Sequence, residues 1–524
     1  MQHRGHGKRN NYRGGGRLQP TQGNRSSSHP QQTEFNIQED IAFIEEVGGD
    51  VTERGIRIAI QGCSHGCIEK IYDTLEEYQR TRGPSYKIDL LLCCGDFQAL
   101  RNTTDYDTIS IPAKYKEIGS FHHYYSGSKI APILTIFIGG NHEASGYLQE
   151  LYYGGWVAPN IYYLGQAGVV SFRGIRIAGL SGIYNSNDYY KGRFEEPPYN
   201  PSSLRSVYHY RNTEVTRLKC LTRTTSHTPI DIIMTHDWPK GIERFGDTQA
   251  LLRKKAFFAE EIRQNNLGSA PAEELLYLLK PKWWFSAHLH VKFHATVTHK
   301  EQSSLTTTAH DLDGDYTSAN TTSFIGLESI HAKESGHSPD LTDLMTHFLS
   351  LDKCLPRRRH LQIINIPLPK NTDTSSDTHE LCYDLDWLSI LQKTHHWTNK
   401  GSLRCSAPAL TKIEITDDDR NHLRQRLQSN FPSRQSHENI LAIPCNFVMT
   451  ALPYGSVGSE YPINGGKMIG NPQTDAILNM LELEHIITVP YQHSYFQGYD
   501  SVESKAAPDA PPVDANEINL DDFS

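Results

Sequence analysis

The sequence predicts an α/β sandwich, and three observations carry that expectation. Short apolar runs rich in β-branched residues alternate with helical patterns over roughly the first 300 residues. Polar residues able to bind metal follow directly on several of those runs, where open α/β sheets place their ligands. The two ends of the chain have compositions unlike anything between them.

The elements follow in order. The start carries Arg4, Lys8, Arg9, Arg13, Arg17 and Arg25, with no acid before residue 34 and much Gly, Asn, Gln and Ser. Such a segment cannot bury enough apolar surface to offset its chain entropy, which predicts a disordered basic arm over residues 1–51. Its arginines either bind RNA phosphate non-specifically or are simply solvated. Strands are expected at Ile56–Ile60, Asp89–Cys94, Ile133–Ile138, Ile175–Leu180, Ile230–Met234 and Trp283–Ser286, and helices over Ile68–Tyr78 and Ala272–Leu279. Val169–Phe172, Arg173-Gly174 and Ile175–Leu180 read as a hairpin with a two-residue turn. These elements make a first domain over 52–300. Residues 301–342 read as a polar insertion, and patterning resumes at Met345–Leu351 and Leu361–Ile366 in a smaller domain over 343–490. Within it, 369–380 and 429–438 read as polar loops, and 491–524 is a disordered acidic tail.

Composition narrows the class of protein. The chain has 524 residues, 39 Gly and 27 Pro, which excludes collagen-like and wholly disordered classes. Its 51 Lys+Arg against 60 Asp+Glu give a charge of −9, which argues against bulk coating of nucleic acid but not against a local basic site. No run of about 18 apolar residues occurs and the N-terminus lacks an apolar core, so neither membrane insertion nor secretion is expected. Nine cysteines without regular spacing suit free thiols in a reducing compartment.

Five strand ends carry the chemistry. After Ile60 comes Gln61-Gly62-Cys63-Ser64-His65, and residues two apart on an extended segment point the same way, so Cys63 and His65 can address one metal. A small residue and a surface histidine in a turn is the alternative. Asp96 follows Cys93-Cys94-Gly95; it can bridge two cations or merely cap a helix. Adjacent Cys93 and Cys94 point to opposite faces of their strand and read as buried small residues. In Gly139-Gly140-Asn141-His142-Glu143, Asn141 offers a neutral oxygen ligand and His142 a titratable proton donor, although Gly-Gly-Asn by itself is a turn. His236 ends the strand at Met234-Thr235, a position that also suits a structural histidine. Ala287-His288-Leu289-His290 sets two imidazoles on one side of an extended segment, a pattern that packing rarely demands.

In this order the constellation resembles the calcineurin-like metallophosphoesterase family, whose pattern runs D-x-H, G-D, G-N-H-[DE], H and G-H-x-H. This chain has Cys63-Ser64-His65, Gly95-Asp96, Gly140-Asn141-His142-Glu143, Thr235-His236 and Ala287-His288-Leu289-His290. It departs from the pattern at Cys63, where the family has aspartate, and at Ala287, where it has glycine. Cysteine at the first position is similar to one branch, the RNA lariat debranching enzymes. The likeness extends through GCSHGCIEKIYDTL (62–75), LLLCCGDFQALRN (90–102), the stretch 139–165, GLSGIYN (179–185), THDWP (235–239), FSAHLHVKF (285–293), DKCLPRRRHLQ (352–362), YDLDWLSIL (383–391), PCNF (444–447) and NPQTDAIL (471–478).

The resemblance implies a metallophosphoesterase-type β-sandwich flanked by helices, with a smaller C-terminal domain and disordered tails. It places the metal pocket on Cys63, His65, Asp96, Asn141, His236, His288 and His290, with Asp96 shared, and proton donation on His142. One or two divalent ions are expected, Fe²⁺, Zn²⁺ or Mn²⁺, because a Cys63 thiolate favours softer metals than Mg²⁺. The implied reaction is hydrolysis of the 2′-5′ phosphodiester at the branch point of intron lariat RNA. Residues 184–211 interleave Tyr184, Tyr189, Tyr190, Phe194, Tyr199, Tyr208 and Tyr210 with Lys191, Arg193, Arg205 and Arg211. Aromatic faces stack on splayed bases and cations pair phosphates, so this segment, at the family's lariat-recognition position, is the expected RNA contact; an irregular loop packed on the domain is the alternative. Branched intron RNA is then the partner, with splicing or RNA-turnover factors beside it, and the nucleus the location. A generic metallophosphoesterase and a non-catalytic RNA-binding scaffold are the competing readings. Ala99 stands where protein phosphatases of the superfamily carry a second aspartate, which disfavours that group.

Overall fold

The computed structural model describes residues 36–48, 55–299, 345–368, 380–430 and 440–492. The expected insertion at 301–342, nearly all of both polar loops and of the acidic tail, and residues 1–35 lie outside the described residues.

Strands β1 (Glu45–Val47), β2 (Gly55–Gln61), β3 (Leu90–Cys93), β4 (Thr135–Phe137), β5 (Gly155–Ala158), β6 (Ile161–Tyr163) and β7 (Ala167–Phe172) come first. They are followed by β8 (Ile175–Leu180), β9 (Ile232–Thr235), β10 (Trp283–Ser286), β11 (Phe293–Thr298), β12 (Met345–Ser350), β13 (Leu361–Pro367) and β14 (Leu381–Tyr383). They form two seven-stranded sheets, ordered β1-β13-β2-β3-β4-β6-β5 and β11-β12-β10-β9-β8-β7-β14.

Burial explains why these runs are strands. Along β2, Ile56, Ile58 and Ile60 face the other sheet and meet Leu92, Ile177, Met234 and Phe285 there. Ala59 faces outward into a second core with Ile71, Tyr72 and Leu75 of the helix Ile68–Arg82. The outer face of the second sheet is covered by helices at Asn212–Lys219, Ala270–Leu279 and Leu385–Thr394, through Val215, Leu275 and Leu388. The fold is therefore four layers, helices on either side of two packed sheets, and near-continuous apolar runs suit strands buried on both faces. Cys93 falls in the outer core and Cys94 between the sheets, opposite faces as alternation requires.

The central strands β2, β3, β4 and β6 run parallel, as do β8, β9, β10 and β12. The loops after β2, β3, β4, β9 and β10 consequently gather at one end of the sandwich. The predicted hairpin is present: Phe172 of β7 faces Ile175 of β8, and both turn residues, Arg173 (φ 49°) and Gly174 (φ 80°), are left-handed as a two-residue turn demands.

One boundary is corrected. The arm expected over 1–51 is folded from residue 36 on: Asn36 caps a short helix, Ile41 and Ile44 pack on the outer core, and β1 pairs in parallel with β13. The apolar residues of IAFIEEV supply what the preceding Gly- and Arg-rich stretch lacks. The first strands of the expected second domain are shared with the sandwich, since β12 lies between β10 and β11 and β13 between β1 and β2. The later C-terminal segment is stitched on through polar bonds: the Trp156 indole donates to the Pro444 carbonyl at 2.8 Å, and Arg101, paired with Glu150 at 2.7 Å, donates to Thr450 at 3.0 Å.

Candidate metal centre

The end of the sandwich where the parallel strands finish brings eight sequence-predicted side chains together: Cys63 and His65 after β2, Asp96 after β3, Asn141 and His142 after β4, His236 after β9, His288 and His290 after β10. Among the described residues, one donor atom from each of Cys63, His65, Asp96 and His290 lies within 4.8 Å of every other. His65 Nε2 and His290 Nε2 face each other at 3.2 Å, and His65 Nε2 is 3.8 Å from Asp96 Oδ2. On the other side of Asp96, His236 Nε2 stands 3.3 Å from Oδ1 and 3.1 Å from Asn141 Oδ1, and the His236 and His288 rings are 5.0 Å apart. Asp96 is thus the hinge between two clusters.

The extended geometry expected at Cys63–His65 and His288–His290 is not what the chain adopts. His65, His288 and His290 have φ of 46°, 60° and 47°, and Asp96 (45°) and Gln98 (58°) are left-handed too. The chain turns sharply as it leaves each strand, so His290 joins His65 while His288 lies tilted beside His236 instead of sharing its neighbour's side. Left-handed backbone in non-glycine residues costs about 1–3 kcal/mol each and gathers at functional sites. Here packing holds it: Gly95 and Gly140 leave no room for a side chain, since a Cβ on Gly140 would stand 2.2 Å from Asp96 Oδ1.

The hydrogen bonds of the histidines assign a role to the centre. The Cys94 carbonyl accepts from His236 Nδ1 at 2.8 Å, which turns Nε2 on the Asp96 and Asn141 oxygens; burial works against a charge on this ring, but the Asp96 carboxylate outweighs it, so positive charge is favoured at this spot. The facing ring nitrogens of His65 and His290 are joined either by one N–H···N bond or, when both carry lone pairs, by a cation between them. Burial pulls His65 and His288 down to about 3 and His290 well below its ordinary value, so these rings are neutral and available as ligands. Burial opposes the ionisation of Asp96, but the charges of His236 and His142 outweigh it and hold the carboxyl well below its usual range. Burial, reinforced by the charge of Asp96, pushes the Cys63 thiol far up, so its thiolate needs a cation at hand.

His142 sits beside the clusters, its ring 5.9 Å from that of His65. Its backbone N–H donates to Asp96 Oδ1 at 2.9 Å, its Nδ1 meets the Ser110 carbonyl at 3.1 Å, and its Nε2 meets Asn141 Nδ2 at 3.1 Å. Glu143 was overlooked as a functional group, although it stands inside the quoted motif. Its carboxylate accepts from Phe97 (2.7 Å), Gln98 (2.8 Å) and Gly140 (3.0 Å), tying the Asp96 loop to the Asn141 loop; burial and the nearby Asp96 push it up to about 8. Ser110 could not be found from the sequence, because it contributes only a carbonyl.

Residues 184–211 divide by exposure. Arg193, Arg211 and Tyr189 are buried, which removes them as direct RNA contacts. Arg193 donates to Glu214, Val207 and Gln166, and Arg211 to Glu195 and to backbone carbonyls, so these cations brace the loop's shape. Tyr210, also fully buried, packs in the core. Arg205 is exposed, and Tyr184, Tyr190, Lys191, Phe194, Tyr199 and Tyr208 are half-buried. Lys191 is engaged with Asp188 at 2.7 Å and Tyr199 with Gln149 at 2.5 Å. The loop is anchored at the centre: Asp237, next to His236, accepts from the Tyr184 N–H at 2.8 Å.

Two family models match the chain: calcineurin-like phosphoesterase over residues 56–292, and lariat debranching enzyme, C-terminal domain, over 343–486. A lariat debranching enzyme of Gallus gallus is 41% identical over 476 residues, which cover 89% of this chain and 78% of its own length. The chain belongs to the lariat debranching enzyme family. The Drosophila melanogaster member is 49% identical over 445 residues (82% of this chain, 78% of its own), and the Arabidopsis thaliana member 40% over 479 residues (89% and 96%). As a member of this family it is a metal-dependent phosphodiesterase, a hydrolase. The phosphoesterase domain implies divalent metal ions, and the donor set fits them: imidazoles, an ionised carboxylate, an amide oxygen and a thiol turned on one another. No helix among the described residues is long and apolar enough to cross a membrane.

Proposed function

We propose that this chain hydrolyses the 2′-5′ phosphodiester at the branch point of excised intron RNA, releasing a linear intron with a 5′-phosphate for turnover. The observation that carries the reading is the cysteine-containing quartet of Cys63, His65, Asp96 and His290 around one point. Cys63, His65, Asp96 and His290 would hold one divalent ion, and Asp96, Asn141, His236 and His288 a second. Bound there, such ions activate water and neutralise the phosphate's non-bridging oxygens. A thiolate in the first set favours Fe²⁺ or Zn²⁺, with Mn²⁺ the harder alternative.

The protein's own groups perform the rest. His142 protonates the departing 2′-oxygen: its Nδ1–H donates to the Ser110 carbonyl and its Nε2 accepts from Asn141 Nδ2, so Nε2 is the atom that takes up a proton and passes it to the leaving oxygen. Glu143 keeps the Asp96 and Asn141 loops at fixed separation. Tyr184, Tyr190, Tyr208 and Arg205 receive the unpaired nucleotides around the branch. Nuclear residence follows from an intron substrate, and splicing or RNA-turnover factors are the expected partners.

A synthetic branched RNA of one 2′-5′ and one 3′-5′ linkage at the same adenosine tests this. Metal-loaded protein should cleave the 2′-5′ bond alone; no cleavage, or equal attack on both bonds, contradicts the reading.

A further inference from the structure

The loop at 184–211 does not stand alone. Residues 399–405, from the C-terminal region, run beside it as a second layer. Gly192 donates to the Gly401 carbonyl at 2.7 Å, Arg193 to the Asn399 carbonyl at 2.8 Å, and Cys405 to the Tyr190 carbonyl at 2.8 Å. The approach is so close that a Cβ on Gly192 would stand 2.0 Å from Asn399 Oδ1. This pairing sets the Arg404 guanidinium 5.1 Å from the centroid of the Tyr190 ring. From there an aromatic series leads inward: Tyr190 lies 4.9 Å from Tyr189, and Tyr189 5.4 Å from Tyr184. Tyr184 is in turn held through its N–H by Asp237, adjacent to His236.

Charge singles out one residue of the added layer. Lys400 is engaged by Glu196 at 2.7 Å, whereas Arg404 is exposed and forms no ion pair among the described residues. Its neighbour Leu403 is 83% exposed, an uncovered apolar side chain beside an unneutralised cation. A guanidinium lying on a tyrosine, next to open apolar surface and continuous with a tyrosine ledge, suits a nucleotide with its base unstacked and its phosphate outward.

We propose that residues 399–405 form the outer wall of the RNA-recognition surface, with Arg404 pairing a phosphate of an unpaired nucleotide near the branch and Leu403 and Tyr190 flanking its base. The proposal rests on the branched-RNA reading above and extends it to a segment outside the phosphoesterase domain. Arg404 is not a catalytic residue; it selects and positions substrate.

The test compares Arg404→Ala, Arg404→Lys and unaltered metal-loaded protein on branched RNA and on bis(p-nitrophenyl) phosphate. Loss of one charge-assisted contact should raise KM for branched RNA about tenfold with kcat nearly constant, so the ratio of the two substrates' kcat/KM falls. The log–log salt dependence of RNA binding should become shallower by about 0.7, the value of one phosphate contact on a single strand. Arg404→Lys, which keeps the charge, should recover most of the salt slope but not the stacking. An unchanged KM and salt slope, or an equal loss on both substrates, overturns the proposal. If unaltered protein fails to cleave branched RNA, the functional reading falls by itself. The wall is then judged by binding of a single-stranded oligoribonucleotide, where equal affinity of Arg404→Ala and the unaltered protein overturns it.

Discussion

Gly140→Ala probes the metal centre with a single methyl group. The added Cβ would stand 2.2 Å from Asp96 Oδ1, 2.5 Å from the Asp96 nitrogen and 2.8 Å from His236 Cε1. Non-bonded heavy atoms rest near about 3.5 Å, so the Asp96 carboxylate must retreat by roughly 1 Å. It cannot do so freely, because Oδ1 also accepts the His142 N–H at 2.9 Å and faces His236 Nε2 at 3.3 Å. Metal–ligand distances tolerate only about 0.2 Å, and a misplacement of about 1 Å costs about 10²-fold in rate. Gly140→Ala should therefore lose bound metal and at least about 10²-fold in kcat/KM, while circular dichroism shows the sandwich intact. Metal content is measured by inductively coupled plasma mass spectrometry on protein purified without chelator, and kcat/KM on branched RNA. A variant with full metal content and full activity would refute the reasoning, since it would mean that Asp96 need not stay where it is.

Other perturbations separate the remaining parts. His142→Ala should lower turnover about 10²–10⁴-fold with metal content unchanged; a matching loss of metal would place His142 among the ligands. Cys63→Asp exchanges a soft donor for a hard one of similar size, so activity with Mn²⁺ should rise relative to Zn²⁺ and Fe²⁺, and an unaltered metal preference would take Cys63 out of the ligand set. Burial pushes Glu150 up to about 7 from an ordinary 4.5, against the pull of Arg101, so the fold favours its protonated form. Its contribution to stability is greatest below pH 4.5 and is lost as pH rises to about 7. Glu150→Gln should therefore gain on the unaltered protein in urea unfolding between those values, and a pH-independent difference would contradict the assignment.

Much of the sandwich was legible because its strands are buried on both faces and their side chains leave no other reading. Ile56–Ile60 and Trp283–Ser286 fell within a residue or so of the observed strands, and the Arg173-Gly174 turn where its chemistry put it. The positions of Cys63, Asp96, Asn141 and His236 were legible for the same reason: each follows a strand that can only run one way. The geometry beyond the strand ends was not, since the left-handed turns at His65, His288 and His290 are imposed by loops packed from elsewhere. Arg193 and Arg211 misled because a cation among tyrosines looks alike whether it meets a phosphate or a buried glutamate. Glu195 and Glu214, their actual partners, were in plain view but had no pattern to link them. The pairing of β1 with β13, 317 residues apart in sequence, has no local signature at all.

Anomalous scattering from a crystal of metal-loaded protein, recorded on both sides of the metal's absorption edge, tests the central claim most directly. A peak at about 2.0–2.4 Å from Cys63 Sγ, His65, Asp96 and His290 is expected, with any second peak bounded by Asp96, Asn141, His236 and His288. An active crystal whose peak lies elsewhere, or whose Cys63 sulfur stands clear of the ion, would contradict it.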